Sequence, residues 1–206
     1  MTRTILFQGD SVTDVDRGDA STNFLGKGYP AIAAKQLARE GSCDVFLNRA
    51  MAGDRAVDLL RRWQEDCLDI RPDILSLLLG VNDAWWKDDG VRMGTPVEKF
   101  EKQYDSLLSQ VIEQKNDTII IIMEPFLLPF PDDRMAWRAT LDPIVHAIRR
   151  LAKKYRAKYV PLDGLFAAAA IERGYEAVCA DGVHPTPFGQ ELIAKEWLRA
   201  FRELNE

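Results

Sequence analysis

The feature that most constrains the fold is an alternation of short apolar runs with longer segments of helical period. The clearest run, from Ile119 to Ile122, is all isoleucine, which is typical of a strand buried on both faces of a parallel sheet. Comparable runs predict five strands, at Thr4 to Gln8, Asp44 to Asn48, Ile74 to Leu79, Thr118 to Met123 and Lys158 to Leu162. The alternation therefore predicts a protein of the α/β class with a parallel sheet.

Helical segments are predicted between and after these strands. Apolar residues recur at helical spacing from Val97 to Ile112 and from Leu141 to Leu151, which predicts two amphipathic helices. Thr186 and Pro187 predict the start of a last helix, because threonine is a favourable N-cap and proline suits the first helical position. No internal repeat or polar linker interrupts the chain. We therefore expect a single domain over residues 1–206, a flavodoxin-like three-layer α/β/α sandwich with a five-stranded parallel sheet.

Length and charge limit the classes of partner. A chain of 206 residues with 47% hydrophobic content can bury one sizeable core. The net charge of -5 is spread over mixed acidic and basic residues, so the sequence predicts no binding to nucleic acid. No apolar run approaches the roughly 20 residues that cross a bilayer, so no membrane insertion is expected.

The cysteines and the N-terminus predict a cytoplasmic protein. The strand-like run from Thr4 to Gln8 begins too early to leave room for a signal peptide. The three cysteines, Cys43, Cys67 and Cys179, are odd in number and lack the paired spacing of zinc ligands. We expect reduced thiols, and we assign no chemical role to Cys179, the cysteine near His184.

Two motifs far apart in the chain carry the candidate chemistry. Ser11 follows the first strand, where loops at the carboxyl ends of parallel strands form the ligand crevice. His184 and Asp181 lie three residues apart near the other end of the chain. A serine hydroxyl becomes a nucleophile when a histidine takes its proton, and a carboxylate on the other ring nitrogen orients that histidine. The sequence predicts acyl transfer with Ser11 as nucleophile, His184 as base and Asp181 as its partner, although a backbone carbonyl can also orient a histidine.

Acyl transfer also requires hydrogen-bond donors for the oxyanion of the tetrahedral intermediate. Gly53 follows the second strand, where a backbone N–H can approach the substrate without an intervening Cβ. Asn82 follows the third strand and offers side-chain N–H groups at the same edge. With the N–H of Ser11, these residues form the predicted oxyanion hole.

The four motifs, in this order, resemble those of the SGNH hydrolases, also called GDSL-type esterases and lipases. The resemblance spans essentially the whole chain and implies the roles just given to Ser11, Gly53, Asn82, Asp181 and His184. Three further segments resemble the intracellular bacterial acetylxylan esterases: Gly80 to Trp85, Arg62 to Asp66 and Arg134 to Arg138. This finer resemblance implies release of small acyl groups, acetyl above all, from carbohydrates such as xylo-oligosaccharides, with no cofactor.

Three alternatives stay open at this point. A thioesterase or lysophospholipase would require an elongated apolar channel, which the sequence neither demands nor excludes. A carbohydrate-binding protein on an inactive hydrolase scaffold is disfavoured because every motif residue is present. A purely structural module would tolerate loss of Ser11, Asn82 or His184 without consequence.

Two aromatic or apolar segments are candidates for substrate contact. Trp85 and Trp86 follow the oxyanion asparagine, and their rings can stack on a sugar or wall an acyl pocket. Packing in the core or at an oligomer contact explains them equally well. The loop from Glu124 to Pro131 is rich in proline and apolar side chains, and we expect it either to line substrate or to pack against another subunit, so a homo-oligomer is possible.

Several polar residues are assigned structural roles. His146 lies inside a predicted helix and is expected to face solvent or to serve packing. Asp10 and Asp83 flank predicted catalytic residues and are expected to satisfy backbone N–H groups of tight turns. Asp10, Asp181 and His184 could in principle bind a cation, but the acyl-transfer roles explain them, so no metal site is predicted. The expected ligand is a small-molecule ester.

Overall fold

A five-stranded parallel sheet forms the centre of the protein. The computed structural model describes residues 2–85 and 94–204. Its strands are β1 (Thr4–Gly9), β2 (Val45–Asn48), β3 (Ile74–Leu78), β4 (Ile119–Met123) and β5 (Lys158–Val160). Their order across the sheet is β2-β1-β3-β4-β5, and every neighbouring pair is parallel. This confirms the predicted α/β class and gives the strand order typical of flavodoxin-like folds.

The helices connect the strands and cover both faces of the sheet. In chain order they are α1 (Ser11–Asp14), α2 (Tyr29–Arg39), α3 (Ala56–Arg61), α4 (Val81–Ala84), α5 (Val97–Gln114), α6 (Arg138–Lys154), α7 (Leu162–Arg173), α8 (Tyr175–Val178) and α9 (Pro187–Arg202). A π turn at Gln64–Leu68 and 3₁₀ turns at Ala20–Thr22 and Asp132–Trp137 complete the described elements.

The two faces of β4 show how the sequence builds two core layers. Successive side chains of a strand point to opposite faces. Ile120 and Ile122 pack into a cluster with residues of α3, α5 and α6. Ile121 and Met123 pack into a second cluster with residues of α2, α7 and α9. The isoleucine run is therefore apolar on both faces because both faces are covered.

The element ends depart from the prediction by one or two residues. The last strand stops at Val160, two residues earlier than predicted, because Pro161 caps helix α7 and Leu162 is already helical. The final helix begins where Thr186 and Pro187 predict it, and the Thr186 Oγ1 accepts the N–H of Gly189 at 3.3 Å. The two amphipathic segments form α5 and α6.

Within residues 2–85 and 94–204, each helix is either too short or too polar to cross a lipid bilayer.

Candidate active site

The carboxyl ends of β1, β2 and β3 bring three predicted site residues to one edge of the sheet. Ser11 is the first residue of α1, so its backbone N–H has no acceptor within the helix. Asp10 caps this helix and its Oδ1 accepts the N–H of Val12 at 3.0 Å. The sharp passage from strand to capped helix presents Ser11 at the crevice.

A chain of hydrogen bonds joins Ser11, His184 and Asp181. The Ser11 Oγ lies 2.9 Å from His184 Nε2, and His184 Nδ1 lies 2.8 Å from Asp181 Oδ2. Because a carboxylate can only accept, Nδ1 carries the proton in this contact, and Nε2 is left to accept the serine hydroxyl proton. The partner of the histidine is thus the Asp181 carboxylate and not a backbone carbonyl.

The Asp181 carboxylate is held by its own loop. Its Oδ1 accepts the backbone N–H groups of Val183 at 3.0 Å and His184 at 2.8 Å. Partial burial favours the neutral acid, but these hydrogen bonds and the contact with the His184 ring outweigh it, and the pKa of Asp181 is lowered. The group is therefore ionised at neutral pH, as a partner for an imidazolium requires.

The loop that carries Asp181 and His184 is fixed by close backbone contacts. Gly182 has a φ of +83°, and a Cβ there would lie 2.1 Å from the Phe130 carbonyl oxygen, so only glycine fits. The carbonyl of Gly182 accepts the N–H of Leu128 at 2.9 Å. Arg134 Nε donates to the carbonyl of Asp181 at 3.1 Å. The segment that includes Leu128, Phe130 and Arg134 thus supports the histidine loop.

The loop after β2 carries Gly53 in an exposed position. Asn48 anchors its start, because its side-chain Nδ2 donates to the carbonyl of Thr13 at 2.9 Å and its Oδ1 accepts the N–H of Ala50 at 3.0 Å. Gly53 has a φ of +86°, which disfavours other residues, and the space where a Cβ would lie is open. The backbone of Gly53 is therefore accessible to a ligand.

Asn82 is tied to the Gly53 loop. It lies in α4, directly after β3, and its Nδ2 donates to the carbonyl of Asp54 at 3.0 Å. An amide nitrogen carries two protons, so one N–H remains for a ligand. This hydrogen bond joins Asn82 to the loop that contains Gly53. In the same loop, the N–H of Met51 donates to the carbonyl of Gly9, two residues before Ser11.

Asp10 and Asp83 lie buried beneath the site. Only 1% of Asp10 is exposed, and burial raises its pKa to about 7 although the Val12 N–H and His184 oppose the shift. Burial likewise raises the pKa of Asp83 to about 6, against hydrogen bonds from Thr95 and the Ala56 N–H. Asp83 Oδ2 accepts that Ala56 N–H at 3.0 Å. Each carboxylate receives a backbone N–H at the start of a helix, the support role expected from the sequence.

Trp85 lies on the rim beside the histidine loop. Its ring is 4.5 Å from that of Trp137, at 39°, and the Arg134 guanidinium lies 5.6 Å from it. The indole is only partly buried, so substrate contact stays a prediction. Trp86, the second predicted contact, lies outside the described residues.

The first part of the apolar loop after β4 packs into the core of this chain. Residues 124–128 are buried within this chain, and Pro125 and Phe126 line the small cavity next to Asp10 and Val12. Contact of this loop with substrate or with another subunit stays a prediction. Phe126 stacks on Phe166 of α7 at 3.8 Å, and Leu127 N–H donates to Asp163 at 3.2 Å. The apolar side chains of this segment therefore extend the core, and helix α7 covers Phe126.

Two arginines near the site had no role predicted from the sequence. Arg62 pairs with Asp54 and Asp66, at 2.6 and 2.7 Å, and Arg134 supports the histidine loop. The loop that Arg134 contacts is 47 residues further along the chain, so no local pattern indicates that contact. His146 is exposed on α6, as expected. Among the described residues, no three His, Cys, Asp or Glu side chains form a cluster suited to a metal ion.

Known structures share this fold over almost its whole length. A protein described as a GDSL-like lipase from Parabacteroides merdae matches with a TM-score of 0.87 and 33% identity, over 96% of this chain and 94% of that chain. An acetylxylan esterase from Geobacillus stearothermophilus matches with a TM-score of 0.86 and 27% identity, over 96% and 93% of the two chains. An α/β hydrolase from the metagenome of Lake Arreo, Spain, matches with a TM-score of 0.86 and 27% identity, over 99% and 97%.

Sequence comparison points to the same class. An acetylxylan esterase from Geobacillus stearothermophilus is 30% identical over 203 residues, which cover 95% of this chain and 92% of that protein. The fold and these relatives define a carboxylic ester hydrolase. Residues 7–192 match the GDSL-like lipase/acylhydrolase family, and the chain belongs to that family.

Proposed function

We propose that this protein is a serine esterase that removes small acyl groups, acetyl above all, from carbohydrate esters such as acetylated xylo-oligosaccharides. The observation that carries the proposal is the hydrogen-bonded chain from Ser11 Oγ through His184 to Asp181, with distances of 2.9 and 2.8 Å. This arrangement suits the removal of a proton from a serine hydroxyl.

In the acylation step, the Ser11 Oγ attacks the ester carbonyl carbon while His184 Nε2 takes the hydroxyl proton. The ionised Asp181 stabilises the imidazolium that forms. The tetrahedral intermediate then collapses, the bond to the sugar oxygen breaks, and His184 returns its proton to that oxygen as the alcohol leaves. An acetyl-Ser11 ester remains on the enzyme.

In the deacylation step, water takes the place of the alcohol. His184 removes a proton from the water, which attacks the acyl carbon, and the proton then passes to Ser11 Oγ as acetate leaves. The oxyanion of each intermediate is placed among the N–H of Ser11, the N–H of Gly53 and the free N–H of Asn82. A donor of this kind typically lowers the barrier by about 3 kcal/mol.

The relatives and the rim of the site support an acetyl ester of a carbohydrate as substrate. A cavity of about 10 Å³ lies under the site, lined by Asp10, Val12 and Val183 among others. It has room for about one water molecule. The acetylxylan esterase relatives support the same acyl group and a carbohydrate alcohol. The partly exposed ring of Trp85 offers a face for a sugar.

The test measures initial rates on 4-nitrophenyl acetate, butyrate and octanoate, and acetate release from peracetylated xylobiose, with Ser11→Ala as the blank. We expect fast acetyl release from the sugar and a steep loss of rate on longer chains. Preference for octanoate without release from the sugar would instead support a thioesterase or lipid esterase. Labelling of Ser11 by a phosphonate, read by mass spectrometry, would separate either enzyme from an inactive binding protein.

A further inference from the structure

We propose that Arg62 is a positioning residue of the oxyanion hole, and that it acts by holding both ends of the loop formed by residues 49–54. This inference rests on the proposed function, because it concerns the donors Gly53 and Asn82. Arg62 follows the last residue of α3 and does not itself reach the nucleophile.

The contacts of Arg62 close the loop at its two ends. Its Nη1 donates to the carbonyl of Arg49 at 2.7 Å. Its Nε and Nη2 donate to the Asp54 carboxylate at 2.9 and 2.6 Å. Gly53 lies between these two anchor points. The middle of the loop is held separately, by the N–H of Met51 on the Gly9 carbonyl and the N–H of Ala52 on Asp14 Oδ2, so a displacement of Arg62 releases the two ends.

Arg62 is held in turn by side chains outside the loop. Its Nη1 also donates to Asp66 Oδ2 at 2.7 Å, one turn further along the chain, and its Nη2 lies 3.5 Å from Gln8 Oε1 in β1. Only 15% of its side chain is exposed. The guanidinium thus connects the loop to the sheet and to the segment after α3.

The second proposed donor is connected through the same aspartate. Asn82 Nδ2 donates to the carbonyl of Asp54, whose carboxylate is bound by Arg62. Asp54 N–H also donates to the carbonyl of Met51 at 3.1 Å, which closes the turn that contains Gly53. A single residue, Asp54, therefore connects Arg62 to both donors, and the loss of Arg62 should displace both.

The burial of Asp54 explains why an arginine is needed. Burial raises the pKa of Asp54, and its contact with Arg62 opposes that shift. Without Arg62, the buried carboxylate would take up a proton or turn toward water, and either change moves the backbone that binds Asn82. The planar guanidinium reaches a carbonyl and two carboxylates at once, which the single ammonium group of lysine cannot reproduce.

The test compares Arg62→Ala and Arg62→Lys with Arg61→Ala, using 4-nitrophenyl acetate. Arg61 is the matched control, because it is the neighbouring arginine, is 71% exposed and pairs with Asp58 instead. We expect kcat to fall about 10- to 100-fold in Arg62→Ala with KM within about threefold, since small misplacements of reacting groups cost about this much. Arg62→Lys should lie between, and Arg61→Ala should stay within about twofold of the wild type.

A double-mutant cycle separates positioning from general loosening. If Arg62 acts through the donors, Arg62→Ala should cost less in an Asn82→Ala background than in the wild type, because only the Gly53 N–H is then left to displace. The acid limb of the pH profile of kcat/KM should not move, because the Ser11, His184 and Asp181 contacts do not involve Arg62. Additive losses in the cycle, or a kcat within about threefold of the wild type in both Arg62 variants, would overturn the inference.

The design distinguishes this inference from the proposed function. Absence of Ser11-dependent hydrolysis in the wild type would refute the proposed function. An active wild type with unaffected Arg62 variants would refute only the role of Arg62. If Arg62→Ala does not fold, Arg62→Lys supplies the same cycle with Asn82→Ala.

Discussion

The two halves of the candidate site are built in different ways. The serine side comprises Ser11, Gly53 and Asn82. They lie on the segments that follow three adjacent strands, and buried groups link these segments. The histidine side is the single loop of residues 179–186, which carries Asp181 and His184. Their side chains are 35% and 42% exposed.

Because the two halves are built differently, we expect different substitutions to disturb them. The serine side depends on buried charge, because Asp10, Asp54 and Asp83 are all buried and all have raised pKa values. The histidine side depends on backbone fit, because Gly182 lies against the carbonyls of Leu128 and Phe130. Changes of charge or pH should therefore disturb the serine side, whereas added side-chain volume should disturb the histidine side.

The largest effect is expected when one reacting side chain is removed from either half. Ser11→Ala and His184→Ala should each lower kcat by at least about a thousandfold, because such residues act as one unit. The double variant should be no slower than the worse single variant. Hydrolysis of 4-nitrophenyl acetate measures this, with His146→Ala, an exposed histidine on α6, as the control at the wild-type rate. Substantial turnover by purified Ser11→Ala would refute the assigned nucleophile.

A pair of glycine substitutions tests the role of backbone fit. Both Gly182 and Gly53 have positive φ, at +83° and +86°, but a Cβ meets backbone oxygen only at Gly182. Gly53→Ala should lower the free energy of unfolding by about 1 kcal/mol through conformational strain alone. Gly182→Ala should cost about 2–5 kcal/mol, because the overlap with Phe130 adds to that strain.

Urea denaturation measures both losses against the wild type. Equal losses in the two variants would show that the close contact at Gly182 relaxes without cost, and would remove the distinction drawn between the halves.

A further expected effect is a change in the pH dependence of stability. The pKa of Asp10 rises from an ordinary 3.8 to about 7 in the folded protein. Between these values the folded state holds more protons than the unfolded state, so this group's contribution is full below about pH 4 and is lost as pH rises toward 7. Relative to the wild type, Asp10→Asn should therefore gain stability across this interval and level off above it.

Asp181→Asn provides the contrast for that measurement. The folded pKa of Asp181 is lowered, so its stabilising contribution is present above the ordinary value of 3.8 and is lost only at lower pH. Thermal unfolding of the wild type and both variants between pH 4 and 8 should give a sloping difference for Asp10→Asn and a flat one for Asp181→Asn. A flat difference for both would contradict the account of the serine side.

Much of the architecture was predictable because its causes are local. The isoleucine run, the helical spacing of α5 and α6 and the cap at Thr186 each lie within one short segment. The order of the site motifs was equally visible, since loops after parallel strands meet at one edge. The strand ends were less predictable, as at Val160, where the following proline starts a helix before the apolar run has ended.

The sequence by itself determined the α/β class, the strands and the candidate residues, because these depend on periodicity and on residue types at short spacing. Only the tertiary structure decided that Arg62 holds the Gly53 loop, that Trp85 packs on Trp137, and that Phe126 is buried against α7. These contacts join segments that are separated in the chain, such as Arg62 with Gln8. A local pattern cannot specify them, since the partner that satisfies a buried charge or covers an apolar loop is chosen only when the chain folds.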